Sequence, residues 1–170
     1  MPALVYLNAV AFVSSQNHPI LIRTFGQERE NNRDIRYHYI AHTSLDVFEE
    51  HITANPKNME SYLGLLYTMD DVAVYGYITA SKMKIVLVLS LSDTVVKDAE
   101  VVNLMKAFHT AYRSAVANPF LRLHAPADAV SDHANSLQVG GTKWKNFRRA
   151  VDDIAASTSA ISAPPPPPKN

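Results

Sequence analysis

Residues Leu4 to Val13 are almost continuously apolar, with Leu4, Tyr6, Val10 and Phe12 on one alternating set and Val5, Leu7, Ala9, Ala11 and Val13 on the other. Side chains alternate between the two faces of a strand, so a run that is apolar on both sets needs cover on both. This predicts a central strand of a sheet with helices above and below. Ser14 to Pro19 is turn chemistry, and Ile20 to Phe25 reads as a second strand joined to the first in a hairpin. Gly26 to Arg33 is polar loop. From Arg36 to Ile52 the period changes from 2 to 3.6. Tyr37, Ile40, Ala41, Ser44, Leu45, Val47, Phe48 and Ile52 fall in one arc of about 160°. His38, Tyr39, His42, Thr43, Asp46, Glu49 and Glu50 fill the opposite arc, so this helix packs one face on a sheet and presents the other. Asn55-Pro56 stops it.

Three strands follow, Tyr62 to Tyr67, Val72 to Thr79 and Lys84 to Leu91, separated by turns short enough to make an antiparallel meander. The last contains Ile85-Val86-Leu87-Val88-Leu89, again apolar on both faces and so a second central strand. A long helix is expected from about Val95 to Ala117, with Ser92-Asp93-Thr94 supplying its cap and Asn118-Pro119 its end. The expected order is β-β-α-β-β-β-α-α: an α/β (α+β) fold whose five-stranded antiparallel sheet carries helices on both faces. Strands and helices do not alternate, which disfavours a parallel doubly wound sheet.

The domain reading is a core over 1–122, a flexible loop or insertion over 123–141, a closing helix of the same domain over 142–157, and a disordered proline-rich tail over 158–170. Trp144, Phe147, Val151 and Ile154 give the closing helix an apolar face at helical spacing. Pro164 to Pro168 is a polyproline segment.

Lys plus Arg number 16 and Asp plus Glu number 16, so there is no basic excess of the kind nucleic-acid binding needs. Cysteine is absent, which removes disulfides, thiol nucleophiles and thiolate metal sites together. No apolar stretch reaches the roughly 18 residues of a membrane span.

The sharpest chemical pattern is His38, His42 and Asp46 at i, i+4 and i+8, with Glu49 nearby. That spacing puts imidazoles and carboxylates on one stripe, as a transition-metal site requires. The stripe lies on a convex helix face, whereas a catalytic metal needs a cleft. A solvated or partner-facing stripe is therefore the reading taken, with no metal and no cofactor. Ser44 is near His42 and Asp46 in sequence but points to the buried arc, so no triad forms. Gly26, Gly64, Gly76, Gly140 and Gly141 fit no phosphate-binding fingerprint; Gly64 and Gly76, inside strands, read as a bulge or a close approach. His109 reads as a core-edge histidine. No catalytic residue is assigned. Lys143, Lys145, Arg148 and Arg149 make the closing helix locally basic; a helix packed on its sheet with a solvated charged face is favoured over a membrane-surface helix.

Three segments carry a family resemblance: His42-Thr43-Ser44-Leu45-Asp46-Val47, Tyr62-Leu63-Gly64-Leu65-Leu66-Tyr67, and Val74-Tyr75-Gly76-Tyr77-Ile78-Thr79-Ala80-Ser81-Lys82-Met83-Lys84. Together with Asn118-Pro119-Phe120 they resemble the sedlin-related small subunits of TRAPP vesicle-tethering complexes, over about residues 3 to 121. Thr68 departs from that pattern, where a proline is expected. The resemblance implies a longin-like fold and a non-enzymatic adaptor in ER–Golgi and Golgi vesicle transport, part of a larger Rab-exchange assembly. It implies partners among the small TRAPP core subunits and a large subunit, an indirect link to a Rab-type GTPase, and a cytoplasmic location peripheral at Golgi or ER–Golgi membranes. It also points to the outer face of the first helix, Tyr39, His42, Asp46, Glu49 and Glu50, as the partner interface. Two alternatives stand beside it. A regulatory longin domain of a SNARE requires a heptad-patterned segment of about 50–60 residues, which Asn118-Pro119 and Gly140-Gly141 interrupt. A metal-dependent enzyme using His38, His42 and Asp46 requires those side chains to converge.

Overall fold

The computed structural model describes residues 6–26, 34–54, 61–91, 96–119 and 144–161. Strands β1 (Leu7–Val13) and β2 (Pro19–Thr24) form a hairpin, followed by helix α1 (Asp34–Ala54). Strands β3 (Tyr62–Met69), β4 (Val72–Ile78) and β5 (Lys84–Ser90) form a meander, followed by helices α2 (Asp98–Val116) and α3 (Lys145–Ile161). The five strands make one sheet in the order β2-β1-β5-β4-β3. Every neighbouring pair is antiparallel.

The two strands that are apolar on both faces, β1 and β5, lie side by side, with Val10 opposite Leu87 and Phe12 opposite Ile85. Their pairing joins the hairpin to the meander. On one face Ala9, Ala11, Val86 and Val88 meet Tyr37, Ile40 and Phe48 of α1. The small side chains at Ala9 and Ala11 leave room for the two aromatic rings, the alternation of large and small that dense packing requires. On the other face Val10, Phe12, Ile85, Leu87 and Leu89 meet Val101, Met105 and Phe108 of α2 and Phe147, Val151 and Ala155 of α3. Phe147 is the hub of this layer, with its ring centroid 5.2 Å from Phe12, 5.8 Å from Tyr112 and 5.7 Å from Trp144, all edge-on. Trp144, just before α3, and Phe147, Val151 and Ala155 within it are buried, while Lys145 and Arg149 are exposed.

Some boundaries differ from those read in the sequence. Helix α2 starts at Asp98 rather than Val95, and its N-cap residue is Lys97, which makes no side-chain cap hydrogen bond. The Ser92 to Thr94 cap lies outside the described residues, as does the segment 123–141. The acids Asp98 and Glu100 in the first turn complement the helix dipole instead. Helix α3 continues past Ser157 to Ile161, taking the first residues assigned to the tail; Ser157 and Thr158 both bond back to the Ile154 carbonyl. Strand β3 continues past Tyr67 to Met69, and Asp70 adopts a left-handed turn conformation at φ 49°.

The two strand glycines have separate reasons. Gly64 sits at φ 77°, beside a register shift in the β3–β4 ladder. Gly76 is extended, but a Cβ there would come within 2.8 Å of Leu66 Cδ2.

Candidate functional site

Packing of Tyr37, Ile40, Ala41, Ser44, Leu45 and Phe48 against the sheet fixes the rotation of α1. The residues between them must then face outward. Tyr39 is 61% exposed, and His38, His42, Asp46, Glu49 and Glu50 are all exposed on the same side. Ile35, 83% exposed, extends the stripe at its N-terminal end, one turn before Tyr39. Sequence reasoning left Ile35 out. The crest therefore runs from an apolar N-terminal part to an acidic C-terminal part.

Ser44 is fully buried and its hydroxyl donates to the Ile40 carbonyl at 2.7 Å. The Tyr67 hydroxyl donates to the same carbonyl at 2.9 Å, and burial pushes its ionisation above the ordinary tyrosine range. Tyr67 thus anchors β3 to α1, and Ser44, its hydroxyl 3.3 Å from that of Tyr67, faces the sheet and not His42 or Asp46. Among the described residues no group of three or more His, Asp or Glu side chains is placed to hold a metal ion. His38, His42 and Asp46 share a face without converging, so the geometry a metal-dependent enzyme needs is not met.

Both ends of the helix are tied down by charge. At the N-terminal end the Arg36 guanidinium donates to Asp71 Oδ1 at 2.7 Å and lies 3.6 Å from Asp70. The hydrogen bond to Asp71 raises its pKa further, against a smaller desolvation effect. At the C-terminal end the Lys84 amine of β5, 3% exposed, donates to Glu49 Oε1 at 3.4 Å and to Asn17 Oδ1 of the β1–β2 turn. Asn17 Nδ2 donates to the same Glu49 oxygen at 3.5 Å, and Asn17 holds a left-handed φ of 65°. Asn17 and Lys84 did not emerge from sequence patterning. The available signal was a lysine opening a strand buried on both faces, which demands a partner; which partner depends on tertiary contacts.

Between α1 and the hairpin lies a shallow cavity of about 210 Å³, lined by the apolar Val13, Pro19, Ile22, Ala41 and Leu45 and by Asn17, His38 and His42. A wider groove of about 590 Å³ runs between α2 and α3, where Ala107, Ala111, Ser114, Ala150 and Phe147 are among the lining residues. Among the described residues no acid or base lines that groove. His109, half-buried against Tyr77 at a centroid distance of 5.9 Å, is the core-edge histidine expected.

The arrangement suits binding: a rigid amphipathic helix with an exposed, mixed apolar and acidic crest beside a small apolar cavity. Comparison with known proteins gives the family. A sequence model of the family described as Sedlin matches residues 12–139. The chain is 39% identical over 129 residues to the trafficking protein particle complex subunit 2-like protein of Bos taurus, covering 74% of this chain and 88% of that one. It is 38% identical over 134 residues to the protein of the same name from Rattus norvegicus, covering 76% and 91%. With that of Dictyostelium discoideum it shares 35% identity over 122 residues, 71% and 86% of the two chains. With the five-stranded sheet flanked by helices on both faces and a match spanning most of its length, this chain belongs to the sedlin family.

Proposed function

We propose that this chain is a non-catalytic scaffold subunit of a TRAPP vesicle-tethering complex and docks through the outer face of α1. The observation that carries the reading is the alignment, over most of both chains, with proteins named as trafficking protein particle complex subunits. The site supports it: the one pattern with catalytic spacing, His38, His42 and Asp46, has no converging geometry, and the face that bears it is an exposed helix crest. In this reading the partners are small TRAPP core subunits and a large subunit. The chain supports a larger Rab-exchange assembly in ER–Golgi and Golgi transport, and is cytoplasmic and peripheral to those membranes through the complex. No described helix is long and apolar enough to cross a membrane.

The test is affinity purification of the tagged chain from its native cell. Small TRAPP core subunits and a large one should co-purify in near-stoichiometric amounts. An Asp46→Arg variant, which reverses charge on an exposed helix position without touching the core, should lose the complex. Recovery of no TRAPP subunit with the parent chain would overturn the function, and full recovery with Asp46→Arg would overturn α1 as the docking face.

A further inference from the structure

We propose that the cavity between α1 and the β1–β2 hairpin seats one apolar side chain of a partner protein segment, and that a basic residue beside that side chain meets Asp46 and Glu49. The inference rests on the reading of α1 as the docking face and adds the chemistry of what docks there.

Size decides the kind of ligand first. At about 210 Å³ the cavity is below the roughly 300–1,000 Å³ of pockets that enclose cofactors or drug-sized molecules, but it has room for a single large apolar side chain. Its walls come from three elements: Val13 of β1, Ile22 of β2, and Ala41 and Leu45 of α1. A protruding apolar anchor in such a pocket is how interface energy is usually concentrated.

The walls are also held in place. Asn17 bonds both the buried Lys84 and Glu49, linking the hairpin turn to the C-terminal half of α1. Lys84 in turn bonds Glu49 from β5. A cavity whose sides are cross-linked in this way is preorganised and loses little entropy on binding.

Charge sets the partner's sign. Leu45 and His42 line the cavity, and Glu49 and Asp46 stand one helical turn beyond them on the same faces. Among the described residues Glu49 makes its side-chain contacts through Oε1, and it stays 56% exposed. Asp46 and Glu50 are exposed with no ion pair among the described residues. The helix's own arginine, Arg36, is taken by Asp70 and Asp71 at the far end. Carboxylates in the C-terminal half of a helix do nothing for its dipole, so the place of Asp46 and Glu50, unlike that of the Lys84-paired Glu49, is not explained by helix stability. An acidic rim repels anionic lipid and nucleic acid, which leaves a protein segment carrying an apolar residue next to Arg or Lys.

The experiment is an NMR titration of the isotope-labelled full chain with three capped dipeptide amides: leucyl-arginine, leucyl-glutamate and alanyl-arginine. Leucyl-arginine should give saturable shifts centred on Val13, Ile22, Ala41 and Leu45. The other two should bind at least about threefold more weakly, the scale of one exposed charge pair or a few methyl contacts. An Asp46→Asn variant, which leaves the links among Asn17, Glu49 and Lys84 intact, should lose most of the preference for arginine over glutamate while keeping leucine over alanine. Equal binding of all three peptides, or shifts remote from the cavity, would overturn the proposal. If leucyl-arginine fails to select the cavity while Asp46→Arg still loses the native complex, the partner chemistry falls and the α1 docking face stands. If Asp46→Arg keeps the complex, the docking face falls and takes this inference with it.

Discussion

Lys84 stands at the start of β5 with its amine out of solvent, bonded to Asn17 and Glu49. Burying a charge is unfavourable unless it is paired, and breaking such a pair usually destabilises more than replacing it with an apolar side chain. The three residues should therefore respond unequally. Glu49→Ala, which leaves Lys84 buried with Asn17 alone, is expected to lower stability by about 1–3 kcal/mol. Asn17→Gly keeps the left-handed backbone and removes only the side-chain bonds, with a loss in the same range. Lys84→Met removes the buried charge itself and should fall within about 1 kcal/mol of the parent. Urea unfolding of the three variants checks the order; a Lys84→Met loss larger than that of Glu49→Ala would contradict it. At this scale the sequence showed which side chains of α1 point in and which point out, because helical spacing alone decides that: Ser44 inside, Tyr39, His42, Asp46, Glu49 and Glu50 outside. It did not show that Glu49 reaches Lys84 and Asn17. Those contacts join three segments far apart in the chain, and no local period encodes them.

The strands and helices of the core were legible from hydrophobic period, and their ends less so. Helix ends are not set by hydrophobic period: α2 starts at Asp98 behind Lys97, which makes no side-chain cap hydrogen bond. Helix α3 is held by two kinds of interaction whose weights can be separated. Phe147, 2% exposed, packs edge-on against three aromatic neighbours. Arg23 on the edge strand β2 donates to both oxygens of Asp152 at 2.8 and 2.6 Å, but both side chains are partly exposed. Phe147→Ala should cost about 3–5 kcal/mol through lost burial and the cavity left behind. Asp152→Asn should cost about 1 kcal/mol or less, as partly exposed ion pairs do. Chemical denaturation gives both values, and hydrogen exchange of the α3 amides should rise far more in the first variant. Gly64 gives a further check on β3. At φ 77°, with nothing within 4 Å of the position a Cβ would take, Gly64→Ala meets no clash and should lose about 1–2 kcal/mol through backbone strain alone. The same change at Gly76 acts instead by displacing Leu66.

For the whole molecule, 16 basic and 16 acidic side chains leave no net charge, so self-repulsion does not shape stability near neutral pH. Dependence on pH must come from individual groups. His109 is one: desolvation, with a smaller effect from Arg113, lowers its pKa below 6.5 in the folded state. As pH falls through 6.5 the unfolded chain takes up this proton before the folded chain does. Stability should therefore be fully present above that pH and decline below it, and His109→Phe, which keeps a ring against Tyr77, should flatten the slope. Urea midpoints between about pH 7.5 and 5.5 measure it; a steeper slope in His109→Phe would refute the assignment. The sequence by itself determined the element types, the two doubly covered strands and the outward stripe of α1, because period and burial are local properties of a chain. The tertiary structure alone decided that β1 pairs with β5, that Asn17, Glu49 and Lys84 meet, and that a small cavity opens beside α1. Each of these depends on residues remote in sequence, brought together only when the hairpin and the meander close into one sheet.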